Sequence, residues 1–256
     1  GGSLYIIADS IMGGGSLTAN GGSGTGSCCG GGGGRIALYY TTNVFTGLMT
    51  AYGGSGSYGG AGTIFVKGST QANGDLSIVN DGHKAGLTPM SGVFDSLTIS
   101  GGGNLEVPAG ASITPLSHPS LESGHIVNNG SLIFDYPAIS LLNSSLTNNG
   151  SIVTSAPTLT LDNSTVTNGT VLDFENLILQ NNSTLTNNGH VTTSNLELSS
   201  STYTDTGGSP SFVPTVNVYG ASTYNGMLDG GEVTVWTGAT LTHSANSTSK
   251  VYWLEI

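Results

Sequence analysis

The chain has 256 residues, 42 of them glycine and only 7% charged, with a formal net charge of −11. An ordinary soluble domain carries about 25% charged residues, and the four basic residues here (Arg35, Lys67, Lys84 and Lys250) exclude a nucleic-acid groove or an anionic-lipid patch. No run of about 18 apolar residues is present, so membrane insertion is not expected. The hydrophobic fraction of 36% falls at regular positions, unlike disordered chains, which pair low hydrophobicity with dense charge. A lysine-poor, Ser/Thr/Gly/Asn-rich composition points to an extracellular or cell-surface location. The opening Gly1-Gly2-Ser3 begins in mid-phrase, as expected of a mature product or a piece of a longer protein.

Residues 1–68 repeat at an offset of 32. SLYIIADSIMGGGSLTANGGSG from Ser3 aligns without gaps with RIALYYTTNVFTGLMTAYGGSG from Arg35, and a third copy opens at Thr63 with TIFVK. Each regular part reads as strand, and the remainder is glycine loop: GGSGTGSCCGGGGG, then GGSGSYGGAG. These loops are read as flexible decorations or as polyglycine segments lying against one another. Glycine loses more backbone freedom on folding than any other residue, so order here requires neighbours. A phosphate cradle needs a helix after the glycines, whereas the next residues, Arg35-Ile-Ala-Leu-Tyr-Tyr40, are strand-like. Cys28 and Cys29 are adjacent, too close for an ordinary disulfide, whose Cα atoms lie about 5.5–6 Å apart. Free thiols, a strained vicinal ring and an inter-chain link stay open.

Residues 69–93 break both periods and read as a transition loop or coil. His83 and Lys84 beside Asp81 form the densest charge cluster of the chain. Loops on rigid scaffolds often carry function, so these two residues are candidates for a ligand contact, with a plain connector as the other reading.

From residue 94 to 256 one short phrase recurs. Its apolar anchors are Leu105, Ile126, Leu146, Val166, Leu185, Tyr203, Tyr224 and Leu241. Most are followed by Asn-Asn-Gly or a relative of it. A second phrase (PTLTLDN, ENLILQN, SNLELSS, PTVNVYG) alternates apolar and polar residues, which is strand patterning. Near-equal spacing of this kind marks a stacked array in which each unit buries its apolar face against its neighbours. Three short strands and three turns per unit predict an all-β fold, a single-stranded parallel β-helix (β-solenoid). The coils are expected to be right-handed, about 20 residues each and about a dozen in number. Asn at the corners tolerates left-handed backbone, and stacked coils would align those amides into ladders.

The sequences GGSLTANGGSG, GGGGGRIALYY and GGAGTIFVK resemble glycine-rich repeat regions of large extracellular proteins, bacterial ones especially. Residues 94–256 are similar in repeat style to the β-helical shafts of bacterial surface adhesins and autotransporter passengers. The resemblance implies a cell-surface or secreted structural or adhesive role and carries no catalytic residues.

Candidate interaction residues are aromatic. Tyr39, Tyr58, Trp236, Tyr252 and Trp253 belong to a set of aromatics gathered toward the two ends of the chain. Trp236 follows Val235 and is expected to point away from the face that Val233 and Val235 share, while Tyr203 and Tyr224 occupy core positions. The final KVYWLEI is an apolar strand, and an uncovered strand edge invites pairing with another chain. No catalytic, cofactor or metal set emerges, since the five His residues are scattered and a calcium-binding nonapeptide repeat is absent.

The expected role is therefore structural and non-enzymatic: a shaft, or a module that associates end to end into a filament or forms part of a longer surface protein. An adhesin that stacks a polysaccharide on outward aromatics is the first alternative. A β-helical polysaccharide lyase or hydrolase is the second, and it would need two carboxylates facing one cleft. Asp135, Asp162, Asp173, Glu175 and Glu197 recur near coil corners as its raw material.

Overall fold

The computed structural model describes every residue except 26–28, 56–58, 84–85, 135, 208–210, 230, 244–248 and 250. Among the described residues there is no helix. Parallel strands stack about 20 residues apart into a β-solenoid of about 8 turns. That is fewer than the dozen the period predicts. The chain divides into two compact units, Gly1–Val127 and Asn128–Ile256.

In the first unit the repeat offset is a physical register. Strand Ser3–Gly13 pairs in parallel with Arg35–Phe45, placing Leu4 beside Ile36 and Ile6 beside Leu38. Strand Thr63–Gly68 comes next, with Arg35 beside Thr63. The short strands Ser16–Thr18 and Leu48–Thr50 pair in the same way. Ile36, Ala19 and Ala51 are buried together, with Leu4, Leu17, Met49 and Ile64 packed around them. One pairing departs from the parallel pattern: Thr63–Gly68 and Asp75–Val79 form an antiparallel hairpin. Its turn is held by side chains, with the Gly68 amide donating to Gln71 Oε1 at 2.7 Å and Lys67 Nζ donating to the Ala72 carbonyl at 2.7 Å. The segment expected as a transition loop or coil therefore contains a folded strand. From Asp75–Val79 onward the parallel pattern resumes with Ser96–Ser100 and Ser120–Glu122.

The glycine loops of this unit pack against one another. Gly31 and Gly34 donate to the carbonyls of Gly22 and Ala19, and Gly59 and Gly62 donate to those of Gly54 and Ala51. In both pairs the donors are three residues apart, and so are the acceptors, running in the opposite direction. A three-residue step is that of the polyproline-II helix, here in antiparallel segments that supply the partners such a helix lacks alone. A Cβ on Gly21 would overlap the Gly31 carbonyl, and one on Gly33 would overlap the Ala51 carbonyl and the Gly62 amide. Glycine is required there by close approach, as at the axis of a collagen triple helix. Asn80 ties this layer to the hairpin, its amide donating to the carbonyls of Gly59 (3.2 Å) and His83 (2.7 Å) while Oδ1 accepts from the Gly53 amide (2.7 Å).

In the second unit two long faces stack. One runs through Ala138–Leu142, Thr158–Asp162, Asn176–Gln180, Asn195–Ser199, Thr215–Tyr219, Glu232–Val235 and Trp253–Glu255. Leu159, Leu177, Leu196 and Val216 lie in register along it, as do Leu161, Leu179, Leu198 and Val218, all of them buried. Burying a Leu or Val side chain stabilises by about 1.5–3 kcal/mol, so these two columns supply much of the driving force. The other face runs through Ser145–Asn148, Thr165–Asn168, Thr184–Asn187, Thr202–Asp205, Ala221–Asn225 and Thr240–His243.

Between the two faces the chain turns at one left-handed residue per coil, Asn143 (φ 49°), Asn163 (46°), Ser200 (50°) or Gly220 (62°), and at both Asn181 and Asn182 in one coil. Asn visits this region more readily than most residues. A buried serine comes after the turn: the amides of Ser144, Ser164, Ser183 and Ser201 each donate to the serine hydroxyl one coil on, at 3.0–3.3 Å. At the far end of the second face the buried amides of Asn128, Asn148, Asn168 and Asn187 form a ladder. Each donates to the next at 2.8, 2.9 and 2.8 Å, and Asn187 donates to the Asp205 carboxylate at 3.1 Å.

Five of the eight predicted anchors fall in one register column of this unit, and the last does not. Leu146, Val166, Leu185, Tyr203 and Tyr224 share a column, but Tyr224 is paired with His243, and Leu241 lies beside Ser222. The column therefore ends on His243. Tyr203 and Tyr224 stack inside the coil (centroids 4.9 Å, 18°), and His243 stacks on Tyr224 at 6.2 Å. Burial pushes the Tyr224 phenol far above the ordinary tyrosine value.

Candidate functional site

The predicted interaction residues divide between the units. In the first, Tyr39 projects from the outer face of Arg35–Phe45 between Tyr5 (5.5 Å) and Phe65 (5.8 Å), a tilted row of rings on adjacent strands. Beside it a cavity of about 220 Å³ is lined by Ile7, Asp9, Tyr39, Tyr40 and Lys67. His83 stands in the turn after Asp75–Val79, where its backbone is bracketed by Asn80, so that it serves the turn. Lys84 and Tyr58 lie outside the described residues, as does Cys28. Cys29 is a free, exposed thiol.

Arg35, read from the sequence as a residue of the repeat phrase, also lines two cavities of about 290 and 430 Å³ together with Thr63, Pro89 and Met90. The smaller is walled by glycine backbone. The amides of Gly21, Gly31, Gly33, Gly34, Gly54, Gly59 and Gly62 are taken up by carbonyls of neighbouring segments, so this layer does not present the bare N–H groups that cradle a phosphate.

In the second unit Trp236 is half exposed on the outer face, as expected. It stacks on Tyr219 (5.7 Å, 11°) and its indole N–H donates to Asn217 Oδ1 at 3.3 Å. Register places Asn217 beside Thr234, Thr234 beside Glu255, and Glu232 beside both Thr215 and Trp253. The outcome is a groove of about 440 Å³ lined by Asn217, Glu232, Thr234, Trp236, Glu255 and Ile256. Tyr252 and Trp253 are strongly exposed, at 80% and 64%. Register sets Trp253 beside Glu232, four positions before Trp236, so the two tryptophans do not share one platform.

Asn217, Glu232 and Glu255 carry no mark in the sequence. Each is an outward position of an alternating strand, but only the register between strands brings them together. Of the corner carboxylates, Asp162 accepts from Gln180 and Asn181 at 3.0 and 2.7 Å, a structural corner role. Asp135 lies outside the described residues.

Compared with protein-family models, curated proteins and solved structures, the chain matches none.

Proposed function

We propose that this chain is a structural module of an extracellular or cell-surface assembly, a β-solenoid shaft that extends by taking further coils of its own kind onto its outermost strands. The observation that carries this reading is strand Ser3–Gly13. It is eleven residues long and is the outermost strand of its sheet. It already accepts one copy of its own repeat along nearly its whole length. Tyr5 and Ile7 on it are exposed at 68% and 71%. A long, flat, apolar edge with unpaired backbone groups is a template for strand addition. Trp253–Glu255 is the outermost strand of the face in the second unit, with exposed Trp253 and Leu254. Addition of one end to the other is heterologous, and it builds a filament when the rotation does not close.

Sedimentation velocity and negative-stain microscopy over a concentration series test this. The expected result is concentration-dependent growth into linear particles, reduced by Ile7→Lys. A chain that stays monomeric at every concentration removes self-association and leaves the edge to neighbouring coils of a longer protein. Dissolution of the particles by reductant would make Cys28 and Cys29 the links.

A second reading rests on the Trp236 groove. One aromatic, Trp236 backed by Tyr219, with an amide and two carboxylates in the groove, suits a neutral or amino sugar, which aromatic rings stack and polar groups orient. A glycan screen with Trp236→Ala as the control tests it: a hit that survives the substitution places the sugar elsewhere.

A further inference from the structure

We infer that the second long face of the Asn128–Ile256 unit is a surface for ordered water, and specifically for the face of an ice crystal. The inference goes beyond the structural role above and does not depend on self-association.

The outward positions of this face are almost all hydroxyl-bearing. Thr165-x-Thr167, Thr184-x-Thr186 and Thr202-x-Thr204 occupy three successive coils, in register column by column. Ser145-x-Thr147 precedes them and Thr223 continues one column. Within a strand the two hydroxyls are two residues apart, about 6.6 Å, and neighbouring strands lie about 4.8 Å apart. The result is a rectangular net of hydroxyl and methyl groups, comparable to the net of oxygen atoms on a prism face of ice.

Threonine is common in strands, because β-branched side chains suit a pleated surface. The first long face of the same unit shows what that preference alone produces. Its outward positions in the equivalent three coils are Thr158, Thr160 and Asp162, then Asn176, Ile178 and Gln180, then Asn195, Glu197 and Ser199. The same solenoid with the same strand geometry gives a mixed, partly charged surface there. On the second face every outward position from Ser145 to Thr242 is neutral, in a chain with 15 acidic residues. Charge would hold water in shells incompatible with a lattice, so its exclusion from this face points to a water-structured ligand.

The support under the face is rigid. The inward residues of the same strands form the buried Asn128–Asn148–Asn168–Asn187 ladder and the Tyr203–Tyr224 stack. These fix strand spacing coil by coil, and side-chain ladders of this kind hold a parallel sheet flat against its natural twist.

The test is partition of the purified chain into a slowly growing polycrystalline ice ball, with thermal hysteresis measured on the same samples. Enrichment in the ice over a globular control is expected, with loss of both signals in Thr184→Tyr and in Thr186→Lys. Thr160→Tyr on the first face should keep both. Far-UV circular dichroism confirms that all three variants are folded. Exclusion of the unsubstituted chain from ice overturns the inference. So does equal loss in Thr160→Tyr, or retention in both second-face variants. Binding to crystalline cellulose or chitin that is lost in Thr184→Tyr, without ice enrichment, assigns the net to a polysaccharide surface and overturns it as well.

Discussion

In the first unit the segments that leave the strands are joined mostly backbone to backbone, glycine amide to carbonyl, with Asn20 and Asn80 adding side-chain links. In the second unit the equivalent excursions are joined by side chains: a serine hydroxyl at one corner and an asparagine amide at the other. Both arrangements solve one problem, which is to satisfy the polar backbone groups that a turn leaves unpaired inside a stack. The solutions fail in opposite ways. The glycine layer is intolerant of added atoms, whereas the asparagine ladder is intolerant of removed ones. Substitution by alanine therefore adds bulk in one unit and deletes a joint in the other.

The sharpest way to break this contrast is within the glycine layer, on two facing segments. Gly33→Ala places a methyl group into the Ala51 carbonyl and the Gly62 amide, both of them backbone that is fixed by its own hydrogen bonds. A loss of about 3 kcal/mol, the upper part of the overpacking range, is expected. Gly22→Ala meets nothing within 4 Å and sits at a φ open to any residue. It should fall within about 0.5 kcal/mol of the parent, as surface changes do. Urea unfolding of the two variants decides it, and similar shifts in both would mean that the segments are not in contact in solution.

The ladder gives the next largest effect. Asn168→Ala removes the acceptor of the Asn148 amide and the donor to Asn187, deep inside the coil. A buried polar group left without a partner costs about 1–3 kcal/mol, so a loss of about 2 kcal/mol is expected from the same unfolding measurement. Asn149→Ala, on the exposed neighbour that donates to Asn129 at 3.1 Å, should cost about 0.5 kcal/mol or less. Equal costs at the two positions would leave the buried ladder no special role.

These positions also show how far the sequence could be read. The strands of the second unit were legible because Leu159-Thr-Leu161 and its relatives alternate with one face inward, and a parallel stack keeps that parity from coil to coil. The same parity explains the one misplaced anchor. Shifting Thr240–His243 by two residues leaves every side chain on its own face, so Leu241 and His243 were equally acceptable under Tyr224, and only the hydrogen-bonded register chooses His243. The hairpin at Thr63–Val79 escaped for a similar reason, because alternation is blind to strand direction. The glycine layer was legible only as a pair of alternatives, since glycine carries no pattern of faces. Its order is written in backbone hydrogen bonds. Trp236 was found from the alternation, but its groove needed Asn217, Glu232 and Glu255 from other strands, and no spacing within one strand reveals which residues of another will stand beside it.

The smallest expected effect concerns a corner of the first unit that is held by a carboxylate. The Asp95 carboxylate accepts from the backbone amides of Gly74 (2.9 Å) and Asn73 (3.2 Å) and from the Asn73 side chain (3.2 Å). The Gly74 hydrogen bond is the largest cause holding its pKa below the usual 3.8; desolvation works against it, and Asn73 and Lys67 assist. Because the folded value is the lower one, the folded state binds this proton less readily than the unfolded chain does. The stabilisation is therefore complete above pH 3.8 and is lost as pH falls through the lowered folded value. Asp95→Asn keeps an acceptor for the Gly74 amide and removes only the charge. The Tm of the parent should exceed that of Asp95→Asn at neutral pH, and the difference should close on acidification below 3.8. A difference that stays constant across that range would assign the corner to geometry alone. The turn would then resemble the serine and asparagine corners of the second unit, where neutral side chains join one coil to the next.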